Sequence, residues 1–205
     1  METAKKLGPT IQRVVVTELP TRFGTFSIYG YRETQSGVEH VALVKGTLPV
    51  ENPTLVRIHS ECLTGEAFGS LRCDCRAQLD LALEAIAAAG SGVVVYLRGH
   101  EGRGIGLINK LRAYALQDTG SDTSSANSEL RLPVDARDYT AAFSILDDLG
   151  VRELRLMTNN PGKISAAEKA GFPVVERIPV IGVTDDNERY LRTKMLKFGH
   201  LFPDL

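Results

Sequence analysis

The sequence predicts a layered α/β fold of the α+β type, built around a mixed sheet. Two observations lead to this prediction. Up to residue 59, short β-branched and apolar runs are separated by Pro and Gly turns, which is typical of an antiparallel-strand-rich first half. After residue 76, Ala- and Leu-rich helical patterns alternate with short apolar strands, which indicates helices layered on a sheet.

Four strands are predicted in the first half, each ended by turn residues such as Pro20. They cover residues 12–19, 25–29, 39–45 and 54–59. Residues 1–10 are predicted to be a flexible N-terminus. No linker-like stretch divides the remainder, so residues 11–205 are predicted to form a single domain.

Helices and strands are predicted to alternate in the second half. Most of the helical patterns end close to a glycine, which adopts the left-handed conformation of a helix end at little cost. The predicted helices cover residues 78–89, 105–117, 139–149, 164–170 and 188–198. The predicted strands cover residues 93–97, 153–158 and 173–178, and the polar range 121–133 is predicted to be a loop.

The composition argues against two classes of protein. A net charge of −1 provides no concentrated positive surface, so we expect no nucleic-acid partner. No apolar run reaches the roughly 18–20 residues that span a bilayer, so we expect no membrane association. The N-terminus lacks the apolar core of a signal peptide, and the three cysteines are clustered rather than spread as a disulfide framework. We therefore expect a cytoplasmic protein.

All three cysteines lie within fourteen positions, at Cys62, Cys73 and Cys75. Three thiolates supply three corners of a zinc tetrahedron and leave the fourth for water, which is the pattern of a catalytic zinc site. The alternative is that they are small buried apolar side chains in a reducing compartment. Their close spacing favours the metal site.

Two glycine-containing loops each follow a predicted strand and open a predicted helix. The range 98–106 carries His100, Glu101 and Arg103 among its glycines, and its spacing matches neither a dinucleotide fingerprint nor a Walker A loop. The range 158–163 reads Thr-Asn-Asn-Pro-Gly-Lys. Both loops suit an anionic ligand at a helix N-terminus, and an ordinary turn is the alternative for each.

Asp135 and Arg137 lie two residues apart, just ahead of a predicted helix. Their placement together at the start of a helix makes them candidate site residues. The alternative interpretation is that Asp135 caps the helix.

Taken in order, six segments resemble the GTP cyclohydrolase II family, over a range from about Leu19 to His200. These segments are Arg57–Gly65, Arg72–Cys75, His100–Gly106, Lys110–Asp118, Asp135–Asp138 and Thr158–Lys163. The resemblance implies zinc-dependent hydrolytic opening of the guanine imidazole ring of GTP, with release of formate and pyrophosphate. The implied product is 2,5-diamino-6-(5-phosphoribosylamino)pyrimidin-4(3H)-one, formed in the first step of riboflavin biosynthesis.

The resemblance also implies site residues, a magnesium ion with the triphosphate, and a homodimer. One zinc ion per chain would be bound by Cys62, Cys73 and Cys75. Asp135 would accept a proton and Arg137 would be the nucleophile on the α-phosphate. Because a guanidinium stays protonated, stabilising phosphoryl charge is the alternative role for that arginine. The residues expected to contact GTP are Arg57, Ile58, His59, Ser60, Glu61, Gln78, Glu101, Gly102, Arg103, Thr123, Thr158 and Lys163.

Three places depart from the family pattern. Arg76 replaces a glycine after Cys-Asp-Cys, Ser124 and Ser125 replace Val-Glu, and Arg131 replaces a glycine before Leu-Pro. These departures leave open a paralogue that stops at a partly hydrolysed formamidopyrimidine product.

Two further alternatives come from other classes. His59-Ser-Glu61 fits the H-x-E signature of a zinc nucleobase deaminase, but the P-C-x-x-C partner is missing. A non-catalytic zinc- or nucleotide-binding regulator is the second alternative. Against it, the residues that the family uses at Tyr114, Asp135 and Arg137 are intact.

Overall fold

A computed structural model describes residues 11–49, 53–118, 130, 132–133, 135–182, 192, 195–196 and 199–201. Within these residues one mixed sheet of seven strands has the order β1-β2-β3-β5-β4-β6-β7. The strands are β1 Ile11–Thr21, β2 Gly24–Glu33, β3 Glu39–Lys45, β4 Thr54–Ser60, β5 Gly92–Leu97, β6 Leu154–Met157 and β7 Val174–Ile178. The mixed, layered α+β prediction is confirmed.

Five α-helices and a short 3₁₀ helix (Glu101–Gly104) accompany this sheet in the described residues. The α-helices are α1 Leu63–Glu66, α2 Cys75–Ala89, α3 Leu107–Asp118, α4 Thr140–Asp148 and α5 Pro161–Ala170. In the described part of the chain, none of the helices is long and apolar enough to cross a membrane.

The sheet changes direction at β4 and β5. Strands β1, β2 and β3 pair antiparallel, and β3 also pairs antiparallel with β5. In contrast, β4 pairs in parallel with both β5 and β6, although it belongs to the half predicted to be antiparallel. Strands β4 and β5 can run parallel because the chain between them contains α2, and parallel neighbours need a crossover connection of this kind.

Helices cover both faces of the parallel part of the sheet. On one face, Val93 and Val95 of β5 pack in a cluster with Phe143 and Leu146 of α4. On the other face, Val94 packs in a cluster with side chains of α2. Because β5 is buried on both faces, it is a continuous apolar run rather than an alternating one.

Helix ends follow the predicted chemistry, with boundaries shifted by a few residues. Gly90 and Gly171 take the left-handed conformation that ends α2 and α5, with φ of 73° and 83°. Helix α5 begins at Pro161 rather than at the predicted residue 164, because the Asn160 side chain accepts a hydrogen bond from Gly162 N at 2.8 Å. The predicted flexible terminus and most of the predicted range 121–133 and the helix 188–198 lie outside the described residues.

Candidate active site

The three cysteines converge at the carboxyl end of β4. Cys62 follows that strand, Cys73 precedes α2, and Cys75 is the first residue of α2. Their Sγ atoms all lie within 4.8 Å of one another, and those of Cys62 and Cys73 are 3.7 Å apart. A tetrahedral zinc ion with Zn–S bonds of about 2.3 Å holds its sulfur ligands roughly 3.8 Å apart, so this set fits zinc.

Two features of the cluster favour metal binding: the space around its sulfur atoms and the lowered pKa of the Cys62 thiol. Gly65 leaves room for the sulfur atoms, because a Cβ at this position would lie 2.7 Å from Cys73 Sγ. Hydrogen bonds from Cys73 and Cys75 lower the pKa of the Cys62 thiol, and the nearby Lys110 ammonium acts in the same direction. Hydrogen bonds to Cys62 raise the pKa values of the Cys73 and Cys75 thiols. The metal-free cluster therefore has space for an ion and a negative charge centred on Cys62.

A cavity of about 160 Å³ opens beside the cysteines. All three cysteines contribute to its wall. Six basic side chains also line the cavity: Arg57, Arg72, Arg103, Lys110, Arg137 and Lys163. A cleft that combines a soft metal-ligand set with this much positive charge suits an anionic ligand.

Most of the predicted GTP contacts line this cavity. They are Arg57, His59, Ser60, Glu61, Gln78, Gly102, Arg103, Thr158 and Lys163, together with Arg137. Three predicted site residues are absent from the lining: Ile58 is fully buried in the core, Glu101 is bonded to Lys110, and Asp135 is bonded to Arg137. Thr123 lies outside the described residues.

Arg57 and His59, both on β4, belong to a chain of hydrogen-bonded polar side chains that also includes Gln78 and Glu66. Arg57 donates from Nη1 to Met157 O (2.9 Å) and from Nη2 to Gln78 Oε1 (2.6 Å). The other end of the chain is Glu66, whose Oε1 lies 2.9 Å from His59 Nε2. Because a carboxylate only accepts, the proton of a neutral His59 lies on Nε2.

Burial sets the charge of these two residues. It lowers the pKa of Arg57 to about 10, so the guanidinium remains a cation at neutral pH. Burial and the neighbouring Arg57 charge lower the pKa of His59 to about 4, so the imidazole is neutral. At the cavity wall, the Arg57 guanidinium is therefore charged and the neighbouring His59 ring is neutral.

The loop before α3 has a constrained backbone. Arg103 has φ of 63°, the only non-glycine positive φ in the described residues, and Gly102 has φ of 60°. A Cβ at Gly104 would lie 3.1 Å from the carbonyl carbon of Ala136, so this glycine permits close contact with the segment that carries Asp135. A strained conformation of this kind is common at ligand sites, and here it places the Arg103 side chain at the cavity.

Asp135 and Arg137 form a forked ion pair. Both Asp135 oxygens accept from Arg137, with Nε at 2.9 Å from Oδ1 and Nη2 at 2.5 Å from Oδ2. Arg137 Nη1 reaches Ser60 Oγ at 3.5 Å. Burial opposes ionisation of Asp135, but the bonds from Arg137 outweigh it and lower the pKa of that carboxyl. The arrangement holds an oriented guanidinium at the cavity wall.

Lys163 lies near the start of α5 and is buried. Its Nζ donates to Ile58 O at 2.7 Å and lies 5.4 Å from the centre of the Tyr139 ring. Burial, together with Arg57 and Arg137, lowers its pKa well below the ordinary value. An anion bound beside these three groups would offset their mutual repulsion.

No residue of α3 was among the predicted GTP contacts, although the segment Lys110–Asp118 resembles the family. Lys110, Tyr114 and Gln117 all face the cavity, and Arg72 stacks over the Tyr114 ring at 4.8 Å. Helical spacing of three and four residues groups these α3 positions on one face, which is the signal that could have found them.

The family departure at Arg76 lies away from the cavity. The Arg76 side chain is bonded to Asp80 at 3.0 Å and to the backbone oxygen of Glu66 at 2.6 Å. It is half exposed and ties the start of α2 to α1. The other departures, Ser124, Ser125 and Arg131, lie outside the described residues.

Two of the buried histidines, His59 and His100, predict a pH-dependent stability. The pKa of His100, like that of His59, is lowered to about 4 by burial. Between about pH 6.5 and 4 the unfolded chain binds protons that the folded chain does not, so stability falls as the pH falls through this window. From pH 7 to pH 5 we expect a loss of about 2 kcal/mol per histidine.

Urea unfolding of metal-free protein at both pH values measures this loss. The His59→Gln variant should lose about 2 kcal/mol less than the wild type over the same interval. Equal losses in the two proteins would contradict the assignment to His59.

Comparison with known proteins identifies the family of this chain. The family model for GTP cyclohydrolase II matches residues 12–179. The GTP cyclohydrolase-2 of Streptomyces coelicolor is 57% identical over 196 residues, which cover 95% of this chain and 88% of that protein. The chain therefore belongs to the GTP cyclohydrolase II family.

Longer relatives match as well. The riboflavin biosynthesis protein RibBA of Salinispora tropica is 57% identical over 93% of this chain. The monofunctional riboflavin biosynthesis protein RIBA 3, chloroplastic, of Arabidopsis thaliana is 53% identical over 97% of this chain. The chain spans only 48% and 39% of these two proteins.

One solved structure supports the fold alone. It is RibBX, a two-domain 3,4-dihydroxy-2-butanone 4-phosphate synthase from A. baumannii, at 23% identity with a TM-score of 0.50. The match covers 88% of this chain and 42% of that one.

Proposed function

We propose that this chain catalyses the hydrolytic opening of the guanine imidazole ring of GTP. The products would be formate, pyrophosphate and 2,5-diamino-6-(5-phosphoribosylamino)pyrimidin-4(3H)-one, for riboflavin biosynthesis. One observation carries the proposal: the three-cysteine cluster and six basic side chains share the wall of a single cavity. Membership of the family and the name of the Streptomyces coelicolor relative support the same activity.

The proposal places one zinc ion on Cys62, Cys73 and Cys75. Soft thiolate ligands select zinc over magnesium or calcium, and three protein ligands leave a coordination position open. When bound there, the ion would supply Lewis-acid activation of water at neutral pH. The neighbouring Glu61 carboxylate accepts from Gly99 N at 2.7 Å and lies at the cavity wall, where it can accept hydrogen bonds from the guanine base.

The basic wall would bind the triphosphate, which we propose is accompanied by magnesium. Arginines at the wall offer paired N–H donors that match phosphate oxygens, and Lys163 adds a compact charge. Arg57 Nε is buried without a hydrogen-bond partner among the described residues. Such an orphaned donor is costly unless a ligand or water takes it, which supports binding at this point.

Arg137 would orient and stabilise charge on the α-phosphate. The fork from Asp135 fixes the plane of the guanidinium and leaves the carboxylate ionised. A covalent role for this arginine requires loss of its proton, and the lowered pKa makes Asp135 a weak proton acceptor. Charge stabilisation is therefore the role that the geometry supports better.

The experiment is incubation with GTP, zinc and magnesium, followed by mass analysis of all products. We expect equal amounts of formate, pyrophosphate and the diaminopyrimidine. Ammonia in place of formate would indicate a deaminase instead. A formamidopyrimidine that accumulates without formate would indicate the paralogue, and zinc binding without any turnover would indicate a regulator.

We also propose a homodimer, with β1 as its contact. This strand lies at the edge of the sheet, and Val14, Val15 and Val16 are each about half exposed. An exposed apolar edge strand is a site for pairing with another chain. Sedimentation equilibrium should give twice the 22.3 kDa chain mass, and Val15→Lys should give a monomer. A wild-type monomer would contradict this proposal.

A further inference from the structure

Lys110 is a buried cation in direct contact with the cysteine cluster. It lies on α3, and its residue is only 9% exposed. Its Nζ lies 3.2 Å from Cys62 Sγ, 2.7 Å from Thr64 Oγ1 and 2.6 Å from Glu101 Oε1. An ammonium has three donors, so all three are used by these contacts.

These three contacts leave Lys110 no donor for a ligand in the cavity. A lysine that binds phosphate needs free donors towards the ligand, whereas each Lys110 donor already has a protein acceptor. Its position at the cavity wall therefore does not make it a substrate ligand. Its ammonium is directed at the thiolate of Cys62.

Glu101 holds Lys110 in this position. Its Oε1 accepts from Lys110, while its Oε2 accepts from Leu63 N at 2.7 Å. The carboxylate thus bridges the 3₁₀ helix, the start of α1 and α3. Because Cys62 directly precedes Leu63, this bridge fixes the ammonium and the thiolate relative to each other.

The charges favour this arrangement. Three thiolates around one divalent ion carry a net charge of −1. Cys62 and Lys110 are both buried, so the cation has a large electrostatic effect on this thiolate. An N–H···S hydrogen bond also withdraws electron density from the sulfur, which leaves the bound ion a stronger Lewis acid. Such outer contacts tune metal sites in general.

We propose that Lys110 is a positioning residue of the metal site, which orients the Cys62 thiolate and neutralises its charge. Glu101 is the residue that holds it there. This inference rests on the proposed function, since it assumes a zinc ion on the three cysteines. It assigns to Glu101 a role at the metal site in place of the contact with GTP expected from the family resemblance.

The test uses two variants of the full chain and a metal readout that needs no substrate. Lys110→Met removes the donor but leaves the Glu101 charge buried without its partner. The double variant Lys110→Met/Glu101→Gln removes both charges and keeps an acceptor for Leu63 N, so it guards against a simple failure to fold. Lys169→Met, at an exposed lysine of α5, is the matched control.

Zinc affinity is measured by chelator competition, and thiolate character by the sulfur-to-metal charge-transfer band of the cobalt-loaded protein. We expect zinc affinity to fall by about 10–100-fold in both variants. We also expect the band to move to lower energy, because a thiolate without the hydrogen bond gives up an electron more easily. Lys169→Met should match the wild type in both measurements.

The position of the charge-transfer band in the cobalt-loaded double variant decides whether the inference about Lys110 holds. A band that stays in place in the double variant overturns the inference, even if affinity falls, since Lys110 would then support only the local fold. If the wild-type protein binds neither zinc nor cobalt, the zinc part of the proposed function fails and this inference fails with it. Suppose instead that the wild type binds both ions, but the charge-transfer band of the double variant stays at the wild-type position. The proposed function then stands, and this inference alone is overturned.

Discussion

The Cys73→Ala variant is expected to lose both zinc and formate release. Cys73 Sγ is 3.7 Å from Cys62 Sγ, and its removal leaves two thiolates for a site that needs three protein ligands. Zinc content should fall from about one per chain to near zero, and formate release should fall by at least about 1000-fold, because Lewis-acid activation is worth several kcal/mol. Metal analysis and a formate assay on the same preparation measure both quantities.

Ser165→Ala is the control for this variant, because it makes a change of similar size at an exposed position of α5. It should keep full zinc and full activity. A Cys73→Ala protein that retains both zinc and formate release would contradict the assignment of the metal site. One that loses zinc but still releases formate would remove the metal from the reaction.

Arg137→Ala is expected to lower turnover by about 100–1000-fold while leaving the zinc content unchanged. The variant removes a guanidinium that Asp135 holds at the cavity wall, so charge on the phosphate loses an oriented partner. Arg137→Lys should recover little, since an ammonium cannot reproduce the forked contact with Asp135. Single-turnover kinetics with GTP measure the effect.

A second measurement, on the wild-type protein, separates the two roles of Arg137. Mass spectrometry of the quenched wild-type reaction should find no guanylyl group on Arg137 if it acts through its charge. Trapped guanylyl-enzyme at this residue would establish the covalent role instead. Arg152→Ala, at an exposed arginine paired with Asp147, is the matched control and should keep wild-type turnover.

The three-cysteine cluster could be predicted because its members are close together in the sequence. Cys62, Cys73 and Cys75 are separated only by α1 and a short turn, so their convergence needs little tertiary information. The pairing of β4 was harder to predict, since a short apolar strand looks alike in parallel and antiparallel surroundings. Its partners β5 and β6 come from elsewhere in the chain, and only the crossover through α2 decides the direction.

The sequence predicted which residues lie near the site better than it predicted where their side chains point. Alternation along β4 places Arg57 and His59 on the cavity face and Ile58 in the core, but the family resemblance treats the three alike. Lys110 was missed because a lysine on an amphipathic helix is usually solvated. Its burial arises only when α3 packs against the segment that carries Cys62.

Titration of metal-free protein with zinc, with formate release from GTP measured at each step, tests whether zinc on the three cysteines drives ring opening. Activity should rise linearly, level off at one zinc per chain, and yield one formate for each GTP consumed. Formate release that is independent of added zinc in protein verified as metal-free would contradict this role of zinc. So would activity that levels off at another stoichiometry.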